Sequence, residues 1–246
     1  MRMTARVLAM LAGLILCLPG HYAWRLARLP SPWPRIFLGW VGRCAGARVR
    51  VTGSPLASHV LFVSNHMSWL DIMVVAGATG AAFVSKQEVA AMPLFGWLAR
   101  LNRTVFVARA ARGAAHAQAD ALRAALASGG PVALFPEGTT DGGTKVLPFR
   151  ASLLAAVVPP RNGVRVQPVA IDYGAAAEEI AWVGGEAGSR NIRRLLSRPG
   201  PLPVTLHFLA PIDPGAVPDR KALADRSRSA IVATLEASAR QALLLD

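Results

Sequence analysis

The sequence predicts an α/β protein: a single domain with a largely parallel central sheet flanked by helices, preceded by two N-terminal helices that attach it to a membrane. Three observations lead there. From Arg48 onward, short β-branched runs alternate with Ala/Leu-rich stretches of helical length, as they do in βα units. Residues 1–46 instead carry two apolar runs punctuated by arginines. Polar clusters fall just after apolar strand candidates, and open parallel sheets gather their chemistry at the carboxyl ends of strands.

The first apolar run, VLAMLAGLILCLP (7–19), is too short to span a bilayer, which takes about 20 residues. Extension to Trp24 takes in His21 and Tyr22 and reaches a marginal span. Arg2 and Arg6 precede the run, and Arg25, Arg28 and Arg35 follow it. No small-x-small cleavage site follows, which argues against a signal peptide. The second run is PRIFLGWVGRCAG (34–46). Trp24, Trp33 and Trp40 fall in this region, as aromatic residues do at a membrane interface. Two short helices lying on or partly in one leaflet are expected, so residues 1–46 form the anchor and 47–246 the α/β domain.

The strand candidates are RVRVTG, HVLFVS, AAFVSK, TVFVAR, PVALFPEG, VRVQPVAID and PVTLHFLAP, each rich in β-branched or aromatic residues. Helices are expected at 68–77, 92–101, 112–127 and 220–244. The last mixes charges of both signs with Ala and Leu, as an amphipathic surface helix does. The PP pair at 159–160 and RPGPLP at 198–203 mark turns, not domain boundaries.

Composition narrows the function classes. With 53% apolar and 17% charged residues and a mean hydropathy of +0.37, the chain is not a disordered one. The formal charge is 27 − 14 = +13. A basic, apolar chain suits an anionic lipid surface and anionic substrates. Nucleic acid is not expected as a partner, because the positive charge is spread out and no nucleic-acid motif appears. Cys17 and Cys44 make neither a disulfide framework nor a metal site, and no metal is expected; a reducing compartment follows.

The first polar cluster is SNHMSWLDI (64–72). His66 and Asp71 are five positions apart, which on one helix would turn them about 140° away from each other. They can meet if His66 stays in the turn and Asp71 lies in the first helical turn. A carboxylate bonded to an imidazole fixes its tautomer, and the free ring nitrogen can then take a proton from an alcohol. Asn65 and Ser68 are candidate caps of the following helix. By itself the pair equally describes a satisfied turn. FPEGTT (135–140) is the second cluster: Gly138 permits positive φ, and Glu137 can hold a polar head group or a neighbouring arginine. Arg109, closing TVFVAR, is the third, and a guanidinium there can grip a phosphate or carboxylate. His21, His59, His116 and His207 have no acidic partner at useful spacing and read as structural.

Taken together, the order NHxSxxD, VFVAR, FPEGTT and VQPVAI resembles the glycerolipid acyltransferase family, whose best-known members acylate lysophosphatidic acid. The resemblance runs from about His59 to Ile212 and includes SKQEVAAMPLFGWLARL (85–101). It implies an acyl-transferring enzyme in which His66 is the general base and Asp71 orients it. Arg109, Glu137, Gly138, Thr139, Asn65 and Ser68 would form the substrate-binding set, and Pro168 matches the fourth motif. The acyl group would come from acyl-CoA or acyl-carrier protein as co-substrate, with no cofactor. The acceptor would be a membrane lysolipid, first 1-acyl-glycerol-3-phosphate, giving phosphatidic acid. The protein would sit on the inner membrane with its catalytic domain on the cytoplasmic side.

Two departures bear on the acceptor. The family's second motif usually has an early Gly and an Asp before its Arg, where this chain has Asn102 or Arg103 and Ala108. The third often reads FPEGTR, where this chain has Thr140. FPEGTT followed by Asp-Gly, with LPFR at 147–150, looks like the branch that acylates lyso-ornithine lipid to ornithine lipid. A thioester or lipid hydrolase using the same dyad on water is the remaining alternative, though no G-x-S-x-G elbow is present.

Overall fold

The computed structural model describes residues 1–107, 114–140, 142–143, 145–160 and 163–244. All seven strand candidates form strands: β1 (Ala47–Thr52), β2 (Val60–Ser64), β3 (Ala82–Lys86), β4 (Val105–Val107), β5 (Val132–Leu134), β6 (Arg165–Asp172) and β7 (Leu202–Phe208). They make a seven-stranded sheet in the order β1-β7-β6-β2-β5-β3-β4. β2 to β6 run parallel to one another, β7 lies antiparallel to β6, and β1 pairs parallel with β7. The two strands at one edge therefore run against the rest, a reversal that strand composition does not encode.

The helices are α1 (Arg2–Leu26), α2 (Trp33–Cys44), α3 (Leu70–Thr79), α4 (Gln87–Ala90), α5 (Pro93–Leu101), α6 (Ala114–Ala127), α7 (Ala177–Ile180), α8 (Gly188–Ser197) and α9 (Arg220–Leu243). The expected helices at 68–77, 92–101, 112–127 and 220–244 correspond to α3, α5, α6 and α9. The helices build two cores, one on each face of the sheet. Phe62 joins Val74, Ile171 and Leu206 on the α3 face. Its neighbours Leu61 and Val63 join Leu122 and Ile231 on the α6 and α9 face. That alternation is the two-residue period of a strand buried on both sides. The chain steps outward from β2 to β3 and then returns from β4 to β5. Right-handed crossovers therefore place α3 and α6 on opposite faces.

The N-terminal pair differs from expectation in length. α1 is one 25-residue helix that continues through Pro19, and it is long and apolar enough to cross a membrane. At 1.5 Å per residue its length is roughly 37 Å, against about 30 Å for a hydrocarbon core. Trp40 of α2 donates its indole N–H to Ala9 O of α1 (2.8 Å). Trp33 and Trp40 lie over Gly20 and Gly13, so small residues on α1 make room for the tryptophans of α2.

α2 in turn packs closely against α3. A Cβ at Gly77 would stand 2.6 Å from the Gly39 Cα. Arg35 locks the pair by donating to Gly77 O (3.2 Å) and Ala78 O (2.7 Å). Gly77→Ala is expected to lower stability by about 1–2 kcal/mol in a thermal melt, because overpacking outweighs the ~1 kcal/mol of helix propensity that alanine adds. A stabilised variant would show that the two backbones do not touch.

Candidate active site

β2 ends at Ser64, and His66 lies on the loop that leads into α3, where Asp71 is the second residue. This loop folds back over the start of α3 and resolves the spacing problem: His66 Nδ1 and Asp71 Oδ2 are 2.8 Å apart. The same Oδ2 accepts the backbone N–H groups of Met67 (2.6 Å) and Ser68 (2.9 Å). Oδ1 accepts the hydroxyl of Tyr173 (2.7 Å). Asp71 is fully buried, and its four donors replace the water it has lost. The Asp71 bond assigns the Nδ1 proton and leaves Nε2 as the nitrogen for a substrate. Phe135 stacks on the imidazole with ring centroids 4.0 Å apart and planes 10° from parallel, which fixes the orientation of Nε2.

FPEGTT follows β5 directly. Glu137, read from the sequence as a head-group ligand, is 3% exposed. Its Oε1 accepts the His66 N–H (2.8 Å) and its Oε2 the Leu147 N–H (2.9 Å). The carboxylate therefore ties the His66 loop to the chain after FPEGTT. Gly138 turns the chain with φ +74°, and Thr139 is exposed at the rim. Thr140 turns inward and donates to Trp182 O (2.6 Å), while Trp182 N–H donates to Met67 O (2.8 Å). That short segment braces both motifs at once.

Asn65 is also buried. Its Oδ1 accepts the Ile171 N–H (2.8 Å) and its Nδ2 donates to Ile171 O (3.0 Å), so it clamps the end of β2 to β6 and does not cap α3. Ser68 does meet the helix start, its Oγ accepting the Leu70 N–H (3.1 Å), and it too is fully buried. Both side chains are spent on backbone. Arg109 and Ala108 lie outside the described residues, and the side chain of His116 is not among those described. His207 corrects the reading made from spacing alone: its Nε2 lies 3.8 Å from Asp172 Oδ2, and its Nδ1 shares a 2.9 Å hydrogen bond with Thr52 Oγ1.

Tyr173 is the functional-site residue that sequence reasoning missed. It is 102 residues from Asp71, and a single Tyr after a strand carries no signal. Burial first, then the charge of Asp71 and their hydrogen bond, hold its phenol well above the usual range, so it stays a donor at any working pH. Removing that donor leaves Asp71 Oδ1 without its partner in a fully buried site. Tyr173→Phe is expected to cut turnover by roughly 10–100-fold in steady-state kinetics, equivalent to one lost charge-assisted hydrogen bond. A variant with wild-type turnover would assign Tyr173 to packing alone.

A buried carboxylate, an imidazole with one nitrogen committed, and a buried clamp between their loop and a glycine turn make an arrangement that can take a proton from an alcohol. Residues 48–172 match the acyltransferase family, so the dyad, the FPEGTT turn and most of the sheet fall inside the matched region. The chain belongs to the acyltransferase family and is an acyl-transferring enzyme. Among its relatives, lyso-ornithine lipid O-acyltransferase of Brucella abortus is 36% identical, with 94% of this chain and 93% of that one aligned. 1-acyl-sn-glycerol-3-phosphate acyltransferase of Neisseria gonorrhoeae is 34% identical over 49% of this chain and 48% of its own. The fold is shared with the crystal structure of the 1-acyl-sn-glycerophosphate acyltransferase of Thermotoga maritima. The TM-score is 0.62 at 24% identity, over 96% of this chain and 97% of that one.

Proposed function

We propose that the protein is a membrane-bound lyso-ornithine lipid O-acyltransferase. The observation that carries the reaction is the His66–Asp71 contact of 2.8 Å with Nε2 left to the substrate. The acceptor hydroxyl gives its proton to His66 Nε2 as its oxygen attacks the thioester carbonyl of acyl-CoA or acyl-carrier protein. The C–O bond forms, the C–S bond breaks, and the thiolate leaves with the proton that His66 held. Asp71 stabilises the imidazolium between those two transfers. No covalent acyl-enzyme and no metal enter the scheme.

Two observations favour lyso-ornithine lipid over lysophosphatidic acid, the acceptor that the broader family resemblance brings to mind first. Relatives that carry the lyso-ornithine name are 34–36% identical over 77–94% of this chain, whereas relatives named 1-acyl-sn-glycerol-3-phosphate acyltransferase match at 34% over 49% of it or at 26% over 82%. Position 140 carries a threonine whose hydroxyl is engaged with Trp182, where a phosphate would ask for a cation. The test supplies the purified protein in detergent with one labelled acyl donor and both acceptors, with His66→Ala as blank. Acylation of lyso-ornithine lipid in preference to lysophosphatidic acid is expected. The reverse preference would assign the protein to phosphatidic acid synthesis, and free fatty acid released without either acceptor would make it a hydrolase.

The apolar α1 supports membrane association. We infer that residues 1–46 hold the catalytic domain, 47–246, on the cytoplasmic face of the inner membrane. Leu8, Ile15 and Leu16 are 60%, 68% and 75% exposed on α1 and would face lipid. Replacing all three with Gln is expected to shift the protein from co-floating vesicles to the soluble fraction. Unchanged flotation would remove α1 from the anchor.

A further inference from the structure

Arg150 is a cation against the FPEGTT turn that no step above uses. Its N–H donates to Pro136 O (2.9 Å) and its carbonyl accepts the Leu153 N–H (3.0 Å), so its backbone is pinned to the FPEGTT turn. Its guanidinium lies flat against Gly138: a Cβ there would stand 3.1 Å from Arg150 Cζ and Nε and 3.3 Å from Nη1. Any side chain at 138 would push the guanidinium away. Gly138 adjoins Glu137, which holds the His66 N–H at 2.8 Å, so the cation is one residue removed from the group that positions the base.

Arg150 is exposed, and among the described residues no carboxylate forms an ion pair with it. A guanidinium fork set against the FPEGTT turn, with no ion pair among the described residues, is suited to a planar anion. Thr140, where the sequence comparison looks for a cation, has its hydroxyl turned to Trp182.

We propose that Arg150 is a specificity-determining residue that receives the acidic head group of the acceptor, the carboxylate of lyso-ornithine lipid, and so sets the acceptor hydroxyl against His66 Nε2. The assignment rests on the acceptor class proposed above. The same fork also accepts a phosphate monoester, so the experiment carries both anions.

The test is steady-state kinetics of the full-length protein in detergent at saturating acyl donor. It compares wild type, Arg150→Gln and Arg150→Lys on lyso-ornithine lipid, its carboxyl methyl ester and lysophosphatidic acid. Arg150→Gln is expected to raise the KM for lyso-ornithine lipid roughly 10–100-fold while kcat stays within about threefold. Arg150→Lys should recover part of the loss, because charge remains but the fork is gone. The methyl ester should have the same KM with wild type and Arg150→Gln, since the anion that Arg150 would hold is missing. If wild type prefers lysophosphatidic acid and Arg150→Gln penalises that acceptor by the same factor, the role of Arg150 stands and the acceptor class changes. An unchanged acceptor KM, a rise confined to the acyl donor, or a fall in kcat alone overturns the proposal. Wild type that acylates neither lipid overturns the reading on which it rests.

Discussion

Replacing His66 with alanine is expected to lower the turnover of acyl transfer by about 10²–10⁴-fold, the usual worth of a positioned general base. The fold should survive, because His66 is the partly exposed member of the dyad and Asp71 keeps three other donors once the ring is gone. Circular dichroism and the thermal midpoint should therefore stay close to wild type while kcat collapses. The acceptor KM should change little, since the imidazole acts on the hydroxyl in the transition state and does not hold the head group. Turnover within threefold of wild type would refute His66 as the base.

Asp71→Asn is expected to cost a similar 10²–10⁴-fold in turnover and, unlike the His66 change, to destabilise the protein by about 1–3 kcal/mol. The reason is in the hydrogen bonds. Met67 N–H, Ser68 N–H and the Tyr173 hydroxyl all donate to this carboxylate, as does His66 Nδ1. An amide offers one acceptor oxygen where two are needed, and its NH₂ would face donors. The paired readout separates the roles: His66 should affect rate without stability, and Asp71 should affect both. An Asp71→Asn protein with a wild-type melt would mean that these donors find other partners.

Much of the fold and part of the site were legible in the sequence, for identifiable reasons. Strands such as HVLFVS and VRVQPVAID are short β-branched runs between polar or glycine breaks, a signal that depends only on local residues. The reversed direction of β7 and β1 depends on which edge the chain joins after α8, and no local residue encodes that. Likewise, His66 and Asp71 stood out because two chemically potent residues lay within one short loop. Tyr173, Phe135 and Trp182 are ordinary core residues by type and reach the loop only through the fold. Glu137 was visible as important, yet its role as a backbone clamp depends on Leu147 N–H, ten residues on. The sequence predicts a shorter α1 because Pro19, His21 and Tyr22 look like an ending, whereas the helix runs through them to Leu26.

The contact between Gly39 and Gly77 has a practical meaning for anyone preparing a truncated, detergent-free form of the enzyme. The obvious cut is just before β1, where the apolar N-terminal region ends. That cut would strip α2 from α3 and leave Gly77, Met73 and Val74 facing water, on the helix whose first turn carries Asp71. A cut within residues 27–32 keeps α2 as the roof of α3 and discards only α1. The residues of α2 freed by that cut, Trp33 and Trp40, are the ones to recode as polar.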